Sequence, residues 1–401
     1  MTNHRAASMP VMVQLRLLTP EFVALNAIMF LTYCNISVFF QFYQYLGTLP
    51  IPAASFGLLM ALFSLTVLVF RPIISPFLTP DNAGRWIRIG CLSIIGTLAL
   101  YNWAESFWSM VLVRLVHGGA YVLLATAVLA RLIGCIPSDR SGQAFGLISV
   151  ITVLPYAVVP PVLPPLIALA GGFREVLNLS ALAMVVALLL AWFTGRTHAE
   201  DPRRSSDRGA TTGGIWENLK DPRIIILLLL SLVVWTTFTP VFFFLEAQGT
   251  KLGIANPGWF LTLSTAVEIL VRLVGGPVFD KFNKALMLAG AQAVLCVGYL
   301  LLAHVSTATP FFGTALVLGL GWGVSMPLLS GLMFDISQPR FRALNSNLAM
   351  EMFQAGFFIG PLAGGAILLR WDYAGLYLAC AICSLAGLGA ALVLRARKVE
   401  P

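Results

Sequence analysis

The sequence predicts an all-α membrane protein with twelve spanning helices, arranged as two similar bundles of six. Three observations predict it. Of the 401 residues, 58% are hydrophobic and only 10% charged, whereas soluble domains carry about a quarter charged residues, so the outside as well as the core has to be apolar. Twelve apolar runs lie along the chain, each near the ~20 residues that cross a bilayer as a helix. One long polar stretch divides those runs six and six.

In chain order the runs fall at about 21–46, 53–78, 87–104, 107–133, 141–169 and 173–195, then 223–247, 256–280, 285–305, 310–335, 341–369 and 373–395. Glu21 opens the first, where the helix dipole favours an acidic side chain. Prolines inside the runs are tolerable, because neighbouring helices can satisfy the freed backbone groups. The first twenty residues carry His4, Arg5 and Arg16 and no apolar core ahead of a small-residue cleavage site, so the first run is expected to stay as a helix. The polar stretch from Thr197 to Asp221 holds Arg203, Arg204, Ser205, Ser206, Asp207 and Arg208, and reads as a flexible linker. Trp216 to Leu219 is expected to form a short interfacial turn. The domain boundaries expected are 1–196, a linker at 197–222, and 223–401.

The formal charge is +8, but the basic residues sit in short separated loops and form no stripe for nucleic acid. With the N-terminus in the cytoplasm, nineteen of the 25 basic residues fall in cytoplasmic segments and three, Arg174, Lys251 and Arg370, in outer loops. Arg71, Arg114 and Arg272 fall within helices. That asymmetry predicts both termini in the cytoplasm and an even number of spans; the location expected is the plasma (inner) membrane. The six cysteines lie in or at the ends of apolar runs and read as packing residues; Cys380 and Cys383 form a CxxC with no second pair.

The halves repeat. Arg71-Pro72 to Pro76 aligns with Arg272-Leu273 to Pro277 at an offset of 201; Pro137 and Arg140 match Pro339 and Arg342 at 202; Pro161 matches Pro361 at 200. Such duplication suggests a transporter. Gly276-Pro277-Val278-Phe279-Asp280-Lys281-Phe282-Asn283-Lys284 resembles the G-x-x-x-D-R-x-G-R loop of the major facilitator superfamily. In the first copy Thr79 takes the aspartate's place, with Asp81, Gly84 and Arg85 close by. Arg114 to Gly118 is similar to that family's R-x-x-x-G pattern on helix 4. Gly356-x-x-x-Gly360-Pro361-x-x-Gly364-Gly365 fits the drug-antiporter glycine motif, displaced from helix 5 to helix 11. Helix 5 carries Pro155, Pro160, Pro161 and Pro164 instead. Small residues at four-residue spacing let helices approach closely, so packing alone can account for the motif. The resemblance implies the major facilitator fold, with helices 1, 4, 7 and 10 lining a central cavity and 2, 5, 8 and 11 along the interface. It also implies that Asp280 contacts the start of helix 5 near Ser138 to Ser141, as part of a conformational latch with Arg71, Arg140 and Arg272.

Charges within spans are costly, about 2.5–3.5 kcal/mol each on the lenient insertion scale, so each needs a reason. Arg114, His117 and Tyr121 are spaced to share one face of helix 4. Ser264, Glu268 and Arg272 do so on helix 8, and Asn347, Glu351 and Gln354 on helix 11. Proton-coupling candidates are Glu351, Glu268 and His117. Candidates for the substrate cavity are Arg114, Tyr121, Tyr33, Ser37, Gln41, Gln44, Thr236, Thr239, Trp322 and Gln354. Each has a structural alternative. Glu268 and Arg272 suit an i,i+4 ion pair, a lone histidine suits packing, and Glu246 sits at a hydrated outer lip.

The function expected is secondary transport of a small organic molecule by alternating access, as proton-coupled efflux of a drug-like compound or metabolite. Uptake of a sugar, organic acid or metal chelate is the alternative, and a transport-inactive receptor a further one. No G-x-x-x-x-G-K-[ST] sequence is present. Four scattered histidines offer no catalytic or metal cluster, so no enzyme activity, cofactor or metal is expected. The partners expected are a small-molecule substrate, protons and the lipid bilayer, with no nucleic acid, around a monomer.

Overall fold

A computed structural model describes residues 18–136, 140–192, 194 and 216–396. Among them there is no strand. Twelve long helices follow in order: α1 Pro20–Gly47, α2 Ala53–Phe77, α3 Pro80–Trp103, α4 Phe107–Cys135, α5 Ser141–Ala170 and α6 Phe173–Ala191. Then come α7 Pro222–Lys251, α8 Trp259–Lys281, α9 Lys284–Ala303, α10 Ala308–Ile336, α11 Arg342–Leu368 and α12 Tyr373–Ala396. Apart from α8, which is 23 residues long, all are apolar and long enough to cross a membrane over described residues.

Local chemistry sets the ends. Thr19 accepts a hydrogen bond from Phe22 N at 3.1 Å, with Pro20 in the first helical position, so α1 starts there. The third helix was expected from residue 87 but begins at Pro80. Thr79 stands at its N-cap, Asn82 Oδ1 accepts from Thr79 N at 2.9 Å, and Pro80 follows with the right φ preset. The residue that replaces the loop aspartate is therefore a helix cap. The seventh helix is expected to stop near 247 and runs on to Lys251: in its last turn Gln248 is buried and donates to Leu302 O of α9 at 3.4 Å, while Thr250 and Lys251 stay exposed. Gly171, with φ of +96°, ends α5 in the left-handed region. Trp216 to Asn218 forms the expected helical turn. It docks on the second bundle through Asn218 and Asn345, whose side-chain amides exchange hydrogen bonds of 2.6 and 3.1 Å.

The packing pattern is duplicated. In the first bundle α3 packs on α4 and α6, α2 on α4, and α1 on α4, α5 and α6. Each pair has its counterpart six helices later: α9 on α10 and α12, α8 on α10, and α7 on α10, α11 and α12. Three further pairings join the bundles: α2 with α11, α5 with α8, and the far end of α1 with α7. Outward stripes are apolar: Leu179, Leu182, Val186 and Leu189 of α6 are 45–63% exposed, as suits helices whose solvent is lipid.

We name the end where α6 stops and α7 starts the linker face, and the other the far face. Glu21 and Arg131 are ion-paired at the linker face, 2.6 Å apart, and Arg131 also donates to Pro80 O at 2.9 Å. Glu21 thus ties the start of α1 to α3 and α4, beyond its place at a helix N-terminus.

The described contacts between bundles gather toward the far face, and the prolines of α5 explain several of them. Pro161 and Pro165 lack the N–H groups that would bond the carbonyls of Ala157 and Pro161. Those carbonyls accept instead from α8 and the loop before it: Thr262 Oγ1 donates to Ala157 O at 2.6 Å and Asn256 Nδ2 to Pro161 O at 2.7 Å. Gly258 lets the chains close up, since a Cβ there would lie 2.5 Å from Pro160 O. On the other side of the molecule α2 meets α11, where a Cβ on Gly365 would lie 2.9 Å from Gly57 Cα.

Candidate functional site

At mid-depth an aromatic cluster crosses the boundary between bundles. Trp235, Phe238, Phe242 and Phe243 come from α7, Trp322 from α10, and Phe353 and Phe357 from α11. Ring centroids lie 4.4 Å apart for Trp235 and Phe353, 4.8 Å for Phe238 and Trp322, and 4.7 Å for Phe353 and Phe357. From the first bundle, Tyr156 meets Phe242 at 5.5 Å and Phe40 meets it at 6.0 Å. Their edge-to-face geometry is the one aromatic quadrupoles prefer. Trp322 is fully buried and donates from Nε1 to Tyr299 Oη at 3.3 Å. A small cavity lies against the cluster, between Phe39, Phe63, Ser64 and Arg114 on one side and Phe242, Phe243 and Phe357 on the other.

A charged tier follows toward the linker face. Glu268 is buried on α8, and Arg272 Nη2 donates to it at 3.1 Å while Arg272 Nη1 donates to Ser149 Oγ of α5 at 3.0 Å. The predicted i,i+4 pair is therefore formed, and it also bridges the bundles. Glu351 is half-buried on α11; its Oε2 has no hydrogen-bond partner among the described residues. Arg71 of the opposite bundle acts electrostatically on it. Tyr33 and Tyr121 lie side by side, with Tyr121 in electrostatic range of Arg71 and Tyr156 in range of Tyr33 and Glu268. Gln354 is buried one turn from Glu351, with its Nε2 unpartnered. The sequence-predicted carboxylates, tyrosines and arginines thus converge on one interface, next to an aromatic wall.

Other candidates lie elsewhere. Arg114, expected in the cavity, reaches it only with one edge. Its Nε and Nη2 donate to the α2 carbonyls of Leu59 and Met60 at 3.0 and 3.1 Å, and Nη1 donates to Tyr101 Oη at 3.4 Å. The rings of Phe39, Phe42 and Phe63 surround the guanidinium at 4.7–5.1 Å. His117, expected to couple protons, is sealed in the same network. Its Nδ1 faces Tyr101 Oη and its Nε2 faces Asn35 Oδ1, each at 3.1 Å, and it is 0% exposed. Both ring nitrogens are thus occupied inside the first bundle. Ser37 is buried nearby, with its hydroxyl unpartnered among the described residues.

Thr239 faces the glycine stripe of α11: it donates to Thr236 O at 3.2 Å and to Gly356 O at 3.4 Å. Thr236 keeps a buried hydroxyl without a described partner. Gly356, Gly360 and Gly364 pack against α7, where Cβ atoms would clash with Trp235 Cβ and meet Thr236 O at 2.8 Å and Phe244 at 2.6 Å. Pro361 and Gly365 face α2, with Pro361 O 2.6 Å from a Cβ built on Gly57. Gln41 and Gln44 are not in the central region. They lie at the far face, donating to Glu246 Oε1 at 3.1 Å and Thr250 Oγ1 at 3.3 Å. Glu246 is 4% exposed, so the expectation of a hydrated lip fails: α1 covers it. Arg140 is the N-cap residue of α5. The side chain of Asp280 and all of Ser138 lie outside the described residues.

Sequence reasoning missed Asn35, Tyr101, Ser149, Tyr156, Phe238 and Phe357. Tyr156 follows a proline in an apolar run, and the phenylalanines are indistinguishable from lipid-facing ones by composition. Only Asn35 and Ser149, small polar residues inside spans, gave a usable signal.

Comparison with known proteins fits this architecture. The family model for the Major Facilitator Superfamily matches residues 25–350 and 252–401. The quinolone resistance protein NorA of Staphylococcus aureus (strain MSSA476) is 25% identical over 376 residues, 87% of this chain and 89% of that protein. The multi-drug resistance efflux pump PmrA of Streptococcus pneumoniae serotype 4 is 24% identical over 340 residues, 82% of each. The match to the multidrug resistance protein MdtH of Aeromonas salmonicida is 28% identical, but spans 35% of this chain and 37% of that protein. The crystal structure of the nucleoside transporter NupG superposes with a TM-score of 0.75 at 14% identity, covering 95% of this chain and 100% of that one. At that identity the likeness is one of fold. The duplicated bundles and the family match together establish that this chain belongs to the Major Facilitator Superfamily, a family of transporters.

Proposed function

We propose that the chain exports a small amphipathic, drug-like compound across the plasma membrane in exchange for protons, by alternating access between its two bundles. One juxtaposition carries the proposal: an aromatic wall shared by both bundles includes Tyr156, within electrostatic range of Glu268, and Phe353 and Phe357, which share the spanning helix α11 with Glu351. An apolar, aromatic surface with a few polar groups takes compounds of varied shape. A carboxylate inside a span is costly when ionised, and each of these is set against a cation of a helix that lines the boundary. Glu351 is the coupling group in this reading because its free oxygen is unpaired and its counter-charge, Arg71, belongs to the other bundle. Protonation weakens that attraction and lets α2 and α11 part on the linker side.

The far face is the outer one on this reading and the linker face the cytoplasmic one, as the basic-residue asymmetry requires. Both termini are then cytoplasmic, with a first bundle at 1–196, a linker at 197–222 and a second bundle at 223–401, working as a monomer. Arg71, Arg140, Arg272 and Asp280 form the linker-face latch. The names of NorA and PmrA as resistance and efflux proteins support export.

The test is transport of ethidium, an aromatic cation, in proteoliposomes of known orientation under an imposed pH gradient. Wild type should move ethidium against the proton flow, and Glu351→Gln should lose gradient-driven transport while keeping ethidium counterflow. Ethidium moving with the protons would overturn export. Full gradient-driven transport by Glu351→Gln would remove that residue from coupling.

A further inference from the structure

A cavity of about 430 Å³ opens on the far face of the first bundle, apart from the aromatic cluster. Gln41, Gln44 and Tyr45 of α1, Ile167 of α5, and Phe173, Arg174 and the exposed Glu175 of α6 line it. Exposed Thr48 stands at its mouth. Cavities that hold small organic ligands run from about 300 Å³ upward.

The wall has two characters. Tyr45 stacks on Phe173 with centroids 4.8 Å apart and planes at 29°, giving a flat aromatic floor. Beside it stand donors. Arg174 Nε donates to Tyr45 Oη at 3.0 Å, and its Nη1 to Glu105 Oε1 at 2.9 Å and Asn102 O at 3.5 Å. The amides of Gln41 and Gln44 complete the donor set, and these two already have work. Across the bundle boundary they donate to Glu246 Oε1 and Thr250 Oγ1 of α7. Glu246 is buried, and its Oε2 has no hydrogen-bond partner among the described residues. The groups that hold the far face closed are therefore also the wall of a cavity open to that face.

We propose that this cavity binds a small aromatic carboxylate, and that its occupation releases Gln41 and Gln44 from α7 and loosens the far face. Only an acceptor can compete for the two amides. A carboxylate is the very group that Glu246 offers to Gln41, and Arg174, although paired with Glu105 through Nη1, keeps Nη2 to donate to an anion by a charge-assisted hydrogen bond, with Glu175 as the opposing charge at the exposed rim. The aromatic body lies on the Tyr45–Phe173 stack. A ligand shifts an equilibrium only by binding its two states unequally, and the shared amides supply that difference. The transport reading is needed only to say what an open far face is for. Binding and opening are measured without transport, so failure of either reading is separately visible.

The experiment uses the full chain in lipid nanodiscs, with the six native cysteines replaced and spin labels at Gly47→Cys and Lys251→Cys. The probe is sodium phenylacetate at millimolar concentration, and 2-phenylethylamine, the same body with a cation, is the control. Phenylacetate should raise the melting temperature and lengthen the Gly47–Lys251 distance, and phenylethylamine should do neither. Arg174→Gln should weaken phenylacetate binding at least tenfold. Gln41→Leu should lengthen the distance without ligand, leaving phenylacetate little to add. No binding of phenylacetate, equal response to both probes, binding without a distance change, or binding unaffected by Arg174→Gln would each overturn the proposal. Should Arg174→Gln fail to fold, the two-probe comparison on the otherwise unaltered wall decides alone.

Discussion

Arg114 is a charged side chain at membrane depth with no carboxylate within ion-pair distance among the described residues. It is accommodated by two backbone carbonyls of α2, the Tyr101 hydroxyl and three phenylalanine faces. The hydrogen-bond chain then has one direction: Arg114 donates to Tyr101, Tyr101 to His117 Nδ1, and His117 Nε2 to Asn35, whose oxygen can only accept. A guanidinium reaches all three acceptors through a planar fork, which an ammonium cannot do. Arg114→Lys should therefore lower stability by about 1–3 kcal/mol, the cost of leaving buried groups unpaired. Thermal unfolding in detergent measures this, and an unchanged melting temperature would assign Arg114 to something other than joining α2 to α4. Residue type and depth marked Arg114 in the sequence; which acceptors it meets depended on how α2 lies across α4.

The glycine motif of α11 is a single sequence feature with two roles at the level of the helix. Gly356, Gly360 and Gly364 belong to the contact with α7 inside the second bundle, whereas Gly365 belongs to the contact with α2 between bundles. Substitutions should separate the roles. Gly356→Ala places a methyl against Trp235 Cβ and 2.8 Å from its backbone carbon, which no rotamer change relieves. It should destabilise the protein by about 1–3 kcal/mol, read as a lower melting temperature with inter-bundle distances unchanged. Gly365→Leu should leave melting within a few degrees and instead open the far face, read as a longer distance between spin labels at the exposed positions Ala54→Cys and Leu369→Cys. The opposite pattern, with Gly365→Leu unfolding the protein and Gly356→Ala silent, would reverse the assignment. In α5 the same positions hold prolines, and there the consequence is chemical as well as steric. Missing N–H groups leave carbonyls that α8 fills.

For the whole molecule, those fillings are part of what closes the far face. Thr262, Asn256, Gln41 and Gln44 each make one hydrogen bond across the boundary. Side-chain hydrogen bonds in membrane proteins are worth about 0.6 kcal/mol each, close to a threefold change in an equilibrium constant. The double variant Thr262→Val, Asn256→Leu should thus favour far-face-open states by about tenfold. Spin-label distances between the far ends of α5 and α8 measure it, and an unaltered distribution would mean that these bonds follow closure without driving it. The linker face carries a different kind of contact, charged and spread over Arg272, Glu268 and Ser149, with Arg71 and Glu351 nearby. One face is held by neutral hydrogen bonds and glycine contacts, the other by charges. Protonation acts on the second kind directly and on the first only through Glu246.

The sequence by itself determined the class of fold, the number of helices, and the places where charge enters the membrane. Lipid demands long apolar runs with every backbone group satisfied within a helix, so hydropathy reports the spans with little help from context. It also reports costly exceptions such as Arg114, Glu268 and Glu351. The polar start of α3 escaped it, because a threonine cap and a proline extended the helix into residues that hydropathy reads as loop. The tertiary structure alone decided what each exception faces. Gln41 and Gln44 have the spacing of cavity residues yet clasp the far end of α7. His117 has the chemistry of a proton carrier yet is closed in between Tyr101 and Asn35. Periodicity fixes the face of a helix a residue occupies, but the neighbour on that face comes from another helix, often in the other bundle and some two hundred residues away (205 for Gln41 and Glu246). No local pattern encodes that pairing.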